Sequence, residues 1–231
     1  MDIFSLRNIH VLKFDQRTDD ALKKVSMWAK NYLVLPHNDL GRSGPVCPFV
    51  KNAVDSHNAL FFSVESISSG CEFEKLENVI LQRLVQYRNL SVDSQAENYK
   101  ALMILFPELE DCAETSLLID KIHKKLKPIF VRDYLMLGQF YPSCNESGLH
   151  NPDFRPLTSP IPLFVIREMQ VLDLPFLAHD VEFIRSYCNK FGINDRSSLD
   201  KLVASMKLPK LPNKWEYYSE RVFSMWHRKA F

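Results

Sequence analysis

Ala101-Leu102-Met103-Ile104-Leu105-Phe106 is an unbroken apolar run closed by Pro107. It is too short for a typical helix and ends at a breaker, so it reads as a strand buried on both faces. Ala59 to Glu65 (ALFFSVE) has the same character. Between the two, Phe73, Leu76, Val79, Ile80, Leu84 and Tyr87 share one helical face, which predicts a helix over 73–89. Downstream, Leu117, Leu118, Ile122 and Leu126 predict a helix over 112–126 that Pro128 should break. Leu135 to Tyr141 (LMLGQFY) and Leu163 to Arg167 (LFVIR) are the third and fourth strands.

The flanks are helical. The first 17 residues read as an irregular arm or short strand. Thr18-Asp19-Asp20 is a capping start, and Leu22, Val25, Trp28, Ala29, Tyr32 and Leu33 carry a helix to about Val34, stopped by Pro36. A short helix is expected within 50–57. A single helix over 174–191 should end at Gly192, followed by one over 197–206 and a last one after Asn213. That last helix holds Trp215, Tyr217, Tyr218, Phe223 and Trp226, with Phe231 at the chain end, so it should pack on the main domain or on a second copy. The order predicts an α/β (or α+β) fold with a small, mostly four-stranded sheet. The expected division is a core over 1–192 and a helical extension over 193–231 packed on it.

The whole-chain numbers exclude several classes. The chain has 231 residues, 46% hydrophobic and 25% charged, an ordinary globular composition. A net charge of +1 provides no field for a nucleic-acid backbone, so no nucleic-acid partner is expected. No apolar run reaches the roughly 20 residues that span a bilayer, so no membrane partner is expected. The N-terminus lacks a basic segment and a cleavage site, which reads as cytoplasmic. Cys47, Cys71, Cys112, Cys144 and Cys188 stand singly with no metal-knuckle spacing, so reduced thiols are expected.

Two irregular segments concentrate the chemistry. Gly41-Arg42-Ser43-Gly44-Pro45-Val46-Cys47-Pro48-Phe49 places a thiol, a candidate nucleophile or soft metal ligand, in a shaped loop with Arg42 available to an anion. Residues 142–162 hold Pro142, Pro152, Pro156, Pro160 and Pro162, which makes a long connection rigid. Within it, His150 lies between Gly148 and Pro152, and Arg155 between Phe154 and Pro156. A rigid loop presenting one imidazole and one guanidinium suits a ligand site. His10, His37 and His57 fall in loops or the arm, His123 on a lysine-rich face expected to be solvated, His179 beside Asp180, and His227 in the last helix. There is no HExxH, GxGxxG, Walker loop or GxSxG motif.

GRxGPVCPF at 41–49 and HNPxFRPLxSPxP at 150–162, followed by Asp173-Leu174-Pro175-Phe176-Leu177, resemble a bacterial domain-of-unknown-function family over about residues 20–190. The order of Cys-Pro loop, strands, helices and a His-x-Pro with a downstream Arg is distantly similar to the YqcI/YcgG-type proteins, some of which are haem-dependent N-hydroxylases of amino-acid or guanidino substrates. The resemblance makes His150 the counterpart of that family's His-Pro histidine and Arg155 its following arginine. Here Asn151 intervenes before Pro152, and Arg155-Pro156-Leu157-Thr158-Ser159 replaces the family's Arg-Ser-Arg. The resemblance implies haem b with His150 on the iron; the needs of such a group are compatible with Cys47 as the alternative ligand, Arg42 and Arg155 at the propionates, and Phe61, Phe62, Phe140 and Phe154 lining an apolar slot.

The resulting expectation is a haem-dependent monooxygenase with a small-molecule substrate in biosynthesis and an external electron donor. The alternative is a non-catalytic haem or small-ligand binding protein of the same fold. A cofactor-free enzyme with Cys47 as nucleophile lacks an orienting partner for its base. A homodimer is left open.

Overall fold

The computed structural model describes residues 3–55, 58–67, 73–109, 114–206, 211 and 213–227, with backbone alone for 225–227. In chain order the elements are β1 (Phe4–Ser5), α1 (Gln16–Trp28), α2 (Pro48–Asp55), β2 (Leu60–Val64), α3 (Phe73–Asn89), β3 (Ala101–Leu105), α4 (Thr115–Arg132), β4 (Leu135–Phe140), β5 (Leu163–Glu168), α5 (Leu174–Leu177), α6 (Val181–Phe191), α7 (Arg196–Ser205) and α8 (Trp215–His227). The fold is mixed α/β. Its five-stranded sheet has the order β1-β2-β3-β5-β4. The brief β1 pairs antiparallel with β2 and adds the fifth strand.

The apolar hexapeptide explains the centre of the sheet. All of β3 is solvent-free because it lies between two neighbours and under both layers. β2 runs parallel to it, Leu60 opposite Ala101 through Val64 opposite Leu105, and α3 supplies the crossover that a parallel pair requires. β5 runs antiparallel, Ala101 opposite Arg167 through Leu105 opposite Leu163. Alternation then sorts the side chains. Leu60, Phe62, Ala101, Met103, Leu105, Leu163 and Val165 form one apolar cluster with Leu22 and Val25 of α1 and Phe49 and Val50 of α2. Leu102, Ile104, Phe164 and Ile166 occupy the other face and are equally buried.

The chain groups into two compact units: residues 1–126 with 137–168, and residues 127–136 with 169–231. The first holds the sheet core and both proline-rich loops. The second has its own core, in which Leu174, Leu177, Ile184, Tyr187, Cys188, Leu199, Trp215, Val222 and Phe223 are buried. Segment 169–192 groups with residues 193–231, so the boundary expected at 192 falls inside this second unit. The aromatic α8 buries Trp215 and Phe223 there, while Tyr217 is exposed. The Trp226 side chain and Phe231 lie outside the described residues.

Three expectations change. The first helix is capped by Asp15, whose carboxylate accepts from the Thr18 N–H and hydroxyl, rather than by Thr18. The expected helix over 174–191 is divided, because Asp180 takes an extended conformation and caps α6 through the N–H groups of Glu182 and Phe183. Pro128 lies inside α4 instead of ending it. A mid-helix proline costs about 3 kcal/mol, and burial of Phe130 and Val131 just beyond it offsets that cost. Gly192 does end α6, in the left-handed conformation at φ 65°.

One buried ion pair fixes α3 to the end of β2. Arg83 Nε and Nη2 donate to the two carboxylate oxygens of Glu65 at 2.5 and 2.9 Å, and both side chains are nearly solvent-free. Breaking such a pair from one side leaves an uncompensated charge. Arg83→Ala should therefore lower unfolding stability by about 3–5 kcal/mol in urea titrations followed by circular dichroism; a loss below about 1 kcal/mol would contradict this description.

Candidate functional site

The two irregular segments meet within the first unit. The Cys47 loop is closed at its base by a short backbone ladder: Val46 N–H donates to Leu35 O at 2.9 Å and Cys47 N–H to Leu33 O at 2.8 Å. Leu40 is buried within it, and Gly41 follows with φ 75°. A β-carbon on Gly41 would lie 2.8 Å from the His150 carbonyl oxygen and 2.9 Å from its carbon, inside any permissible contact. Gly41 is required both for its left-handed backbone and for this approach. Asn151 Nδ2 adds a hydrogen bond to Asp39 O at 2.8 Å, and the Phe154 ring stacks tilted on His37 with centroids 4.8 Å apart. The Cys-Pro loop and the His150 loop thus form one continuous surface.

The first helix shapes one wall of it. Beyond Trp28 the chain winds a single wider turn over Ala29–Leu33, with Val34 N–H bonding to Ala29 O at 3.2 Å. Such wide turns are rare and recur at functional sites. Trp28 and Tyr32 stack with centroids 6.2 Å apart, Tyr32 meets His37 edge-on at 6.0 Å, and Trp28 meets Phe140 at 5.5 Å. Burial raises the Tyr32 phenol pKa, so that group stays neutral.

The sequence-predicted residues divide by their contacts. The half-buried His150 makes no side-chain hydrogen bond among the described residues, and its carbonyl lies where a β-carbon on Gly41 would clash. Arg155 is turned into its own loop: Nε donates to Asn145 Oδ1 at 2.6 Å and Nη1 to the carbonyls of Pro152 and Phe154 at 2.5 and 3.2 Å. Arg42 likewise donates to Ser43 O at 3.0 Å and Val46 O at 3.1 Å. Each guanidinium keeps further N–H donors. Phe154 is buried against His37 and Tyr32. Cys47 is half-buried against the apolar cluster of the sheet and precedes α2.

The expected four-phenylalanine slot does not form. Phe61 and Phe62 are neighbours on β2 and point to opposite faces of the sheet, so they cannot line one cavity. Phe62 is fully buried in the core, and Phe140 packs against Trp28. Of the four, Phe154 alone belongs to the loop surface. Sequence reasoning misses His37, Tyr32, Trp28 and Asn151 here. The helical period assigns Trp28 and Tyr32 to a regular core face, and nothing in it marks the wide turn that realigns them.

The other histidines fall elsewhere. His123, expected to be solvated, binds Leu137 O through Nε2 at 2.8 Å on the edge strand β4. His179 is beside Asp180, whose carboxylate is engaged as the α6 cap. His57 and the His227 side chain lie outside the described residues. Among the described residues, no group of three His, Cys, Asp or Glu side chains is placed to hold a metal ion, and no helix is long and apolar enough to cross a membrane. A single protein ligand suffices for haem iron, and the expected candidates are His150 and, as the alternative, Cys47.

This chain belongs to the family described as Domain of unknown function (DUF6875). The match covers residues 22–201 and so includes both loops and strands β2 to β5. The search of curated proteins and the search of solved structures each returned no match.

The described thiols differ in access. Cys144 and Cys188 are buried, and burial raises both pKa values, that of Cys188 to about 12. Alkylation of native protein at pH 8 with peptide mapping should modify Cys47 and spare Cys144 and Cys188 until the chain is unfolded. Equal modification of all three in native protein would contradict the packing.

Proposed function

We propose that the loop surface binds haem b with the His150 imidazole as axial ligand, and that the protein is a haem-dependent oxygenase of an amino-acid-like or guanidino small molecule. The supporting observation is the state of His150. Its carbonyl lies where a β-carbon on Gly41 would clash, and its ring makes no hydrogen bond among the described residues, so coordination would break none of the described bonds. The residues present offer a ligand and two cations for the group, while the four phenylalanines form no apolar slot for it. His150 would hold the iron, the remaining N–H donors of Arg42 and Arg155 would face two propionates, and the rings of His37 and Tyr32 offer an aromatic edge. Haem when bound supplies the iron that takes oxygen and electrons from an external donor. The chain's part would be to hold that group through His150 and to neutralise its carboxylates with Arg42 and Arg155.

One observation favours the alternative, a non-catalytic haem or small-ligand binding protein. The aromatic side chains fill their own space rather than enclose a slot, and an oxygenase gains from excluding water around its reaction.

Titration with haem under an optical readout tests the reading. Wild-type protein should develop a Soret band of one-to-one stoichiometry, and His150→Ala should abolish or shift it, while Arg155→Ala weakens retention less because a half-exposed ion pair is screened. Oxygen consumption with a chemical reductant and candidate amines separates oxygenase from binder. Wild-type protein that takes up no haem overturns the proposal. A band altered only by Cys47→Ala would move the ligand to the thiolate.

A further inference from the structure

We infer that the His123 side chain guards the free edge of the sheet, so that β4 is kept from pairing with the β4 of a second copy of this chain. The strand order ends at β4, which leaves one of its sides without a neighbouring strand among the described residues. Met169 N–H donates to Tyr134 O at 3.0 Å, which sets the start of β4 against the end of β5. In such an antiparallel pair alternate residues bond across, so the peptide groups of Met136, Gly138 and Phe140 are turned to β5 with those of Tyr134. The peptide groups of Leu135, Leu137, Gln139 and Tyr141 are turned to the free side.

That phase accounts for two contacts. His123 reaches from α4 and donates through Nε2 to Leu137 O at 2.8 Å. Ser159 N–H donates to Tyr141 O at 3.4 Å, where Thr158 of the second loop bridges Tyr141. Both acceptors belong to the free-side set, so each bond occupies a position that an added strand would use. Leu135, Leu137, Gln139 and Tyr141 are nearly solvent-free although they stand at the margin of the sheet.

The strand needs such a cover. Leu135-Met136-Leu137-Gly138-Gln139-Phe140-Tyr141 holds no charged residue and no proline, two devices by which edge strands commonly refuse partners. Short uncharged apolar segments of this kind pair with copies of themselves. A second copy is the fitting partner, because an antiparallel two-fold pairing sets the same uncharged run and the same free-side groups against each other. Leu137 lies near the middle of β4. A carbonyl that already accepts from an imidazole there blocks the pairing without disturbing the bonds to β5.

Amide hydrogen exchange at several protein concentrations, beside sedimentation, tests this. In wild-type protein the Leu137 and Gln139 amides should exchange at rates independent of concentration. In His123→Ala, with circular dichroism unchanged, they should become protected as concentration rises. Two-fold pairing of intact chains breaks the His123 bond in both copies, so its removal should strengthen self-association about 10-fold to 100-fold. Self-association no stronger than in the wild type would overturn the inference. So would stronger association that leaves the Leu137 and Gln139 amides unprotected, since it would use another surface. If the variant does not fold, the wild type decides. Nitrogen resonances of the His123 ring should show a proton on Nε2, and an unprotonated Nε2 would overturn the guard.

Discussion

The contact of Gly41 with the His150 backbone constrains everything proposed for this surface. Two segments more than a hundred residues apart approach so closely that a methyl group could not be placed between them, and the backbone of one must be left-handed for the approach to occur. A β-carbon at Gly41 would meet backbone there, which cannot swing aside as a long side chain can. The seating of Phe154 on His37 and the hydrogen bond from Asn151 to Asp39 accompany that closeness.

The sheet brings the segments into register. The ladder joining Leu33 and Leu35 to Val46 and Cys47 closes the first loop, and α2 then packs Phe49 and Val50 on the same sheet face as α1. The second loop starts after β4 and ends at β5, with Tyr141 bridged to Thr158. Tyr141 also donates to Asp120 of α4 at 3.0 Å, and with burial this holds its phenol neutral. Each loop is therefore tied to rigid elements at both ends, the condition under which a loop presents side chains in one geometry.

The fold is legible where burial is regular. Six apolar residues ended by a proline mark β3, and the faces of α1 and α3 keep helical spacing. Legibility fails where a local rule meets tertiary burial: Pro128 is carried inside α4, and the extended Asp180 divides a run that reads as one helix. In the site, proline and glycine density identifies both loops because those residues restrict or widen backbone freedom. The partners are less visible. His37 looks like any loop histidine, and Tyr32 joins the surface through a wide turn that changes the helical phase. Phe61 and Phe62 mislead because a slot drawn from residue type alone ignores strand alternation, which sends them to opposite faces.

The central claim is that the two loops are one surface hinged on Gly41 and His150. Nuclear Overhauser spectroscopy on labelled native protein tests it directly, since a β-carbon on Gly41 would lie 3.1 Å from the His150 Cβ. The account predicts strong cross-peaks between the Gly41 α protons and the His150 β protons. Assigned resonances with no such cross-peak would contradict it.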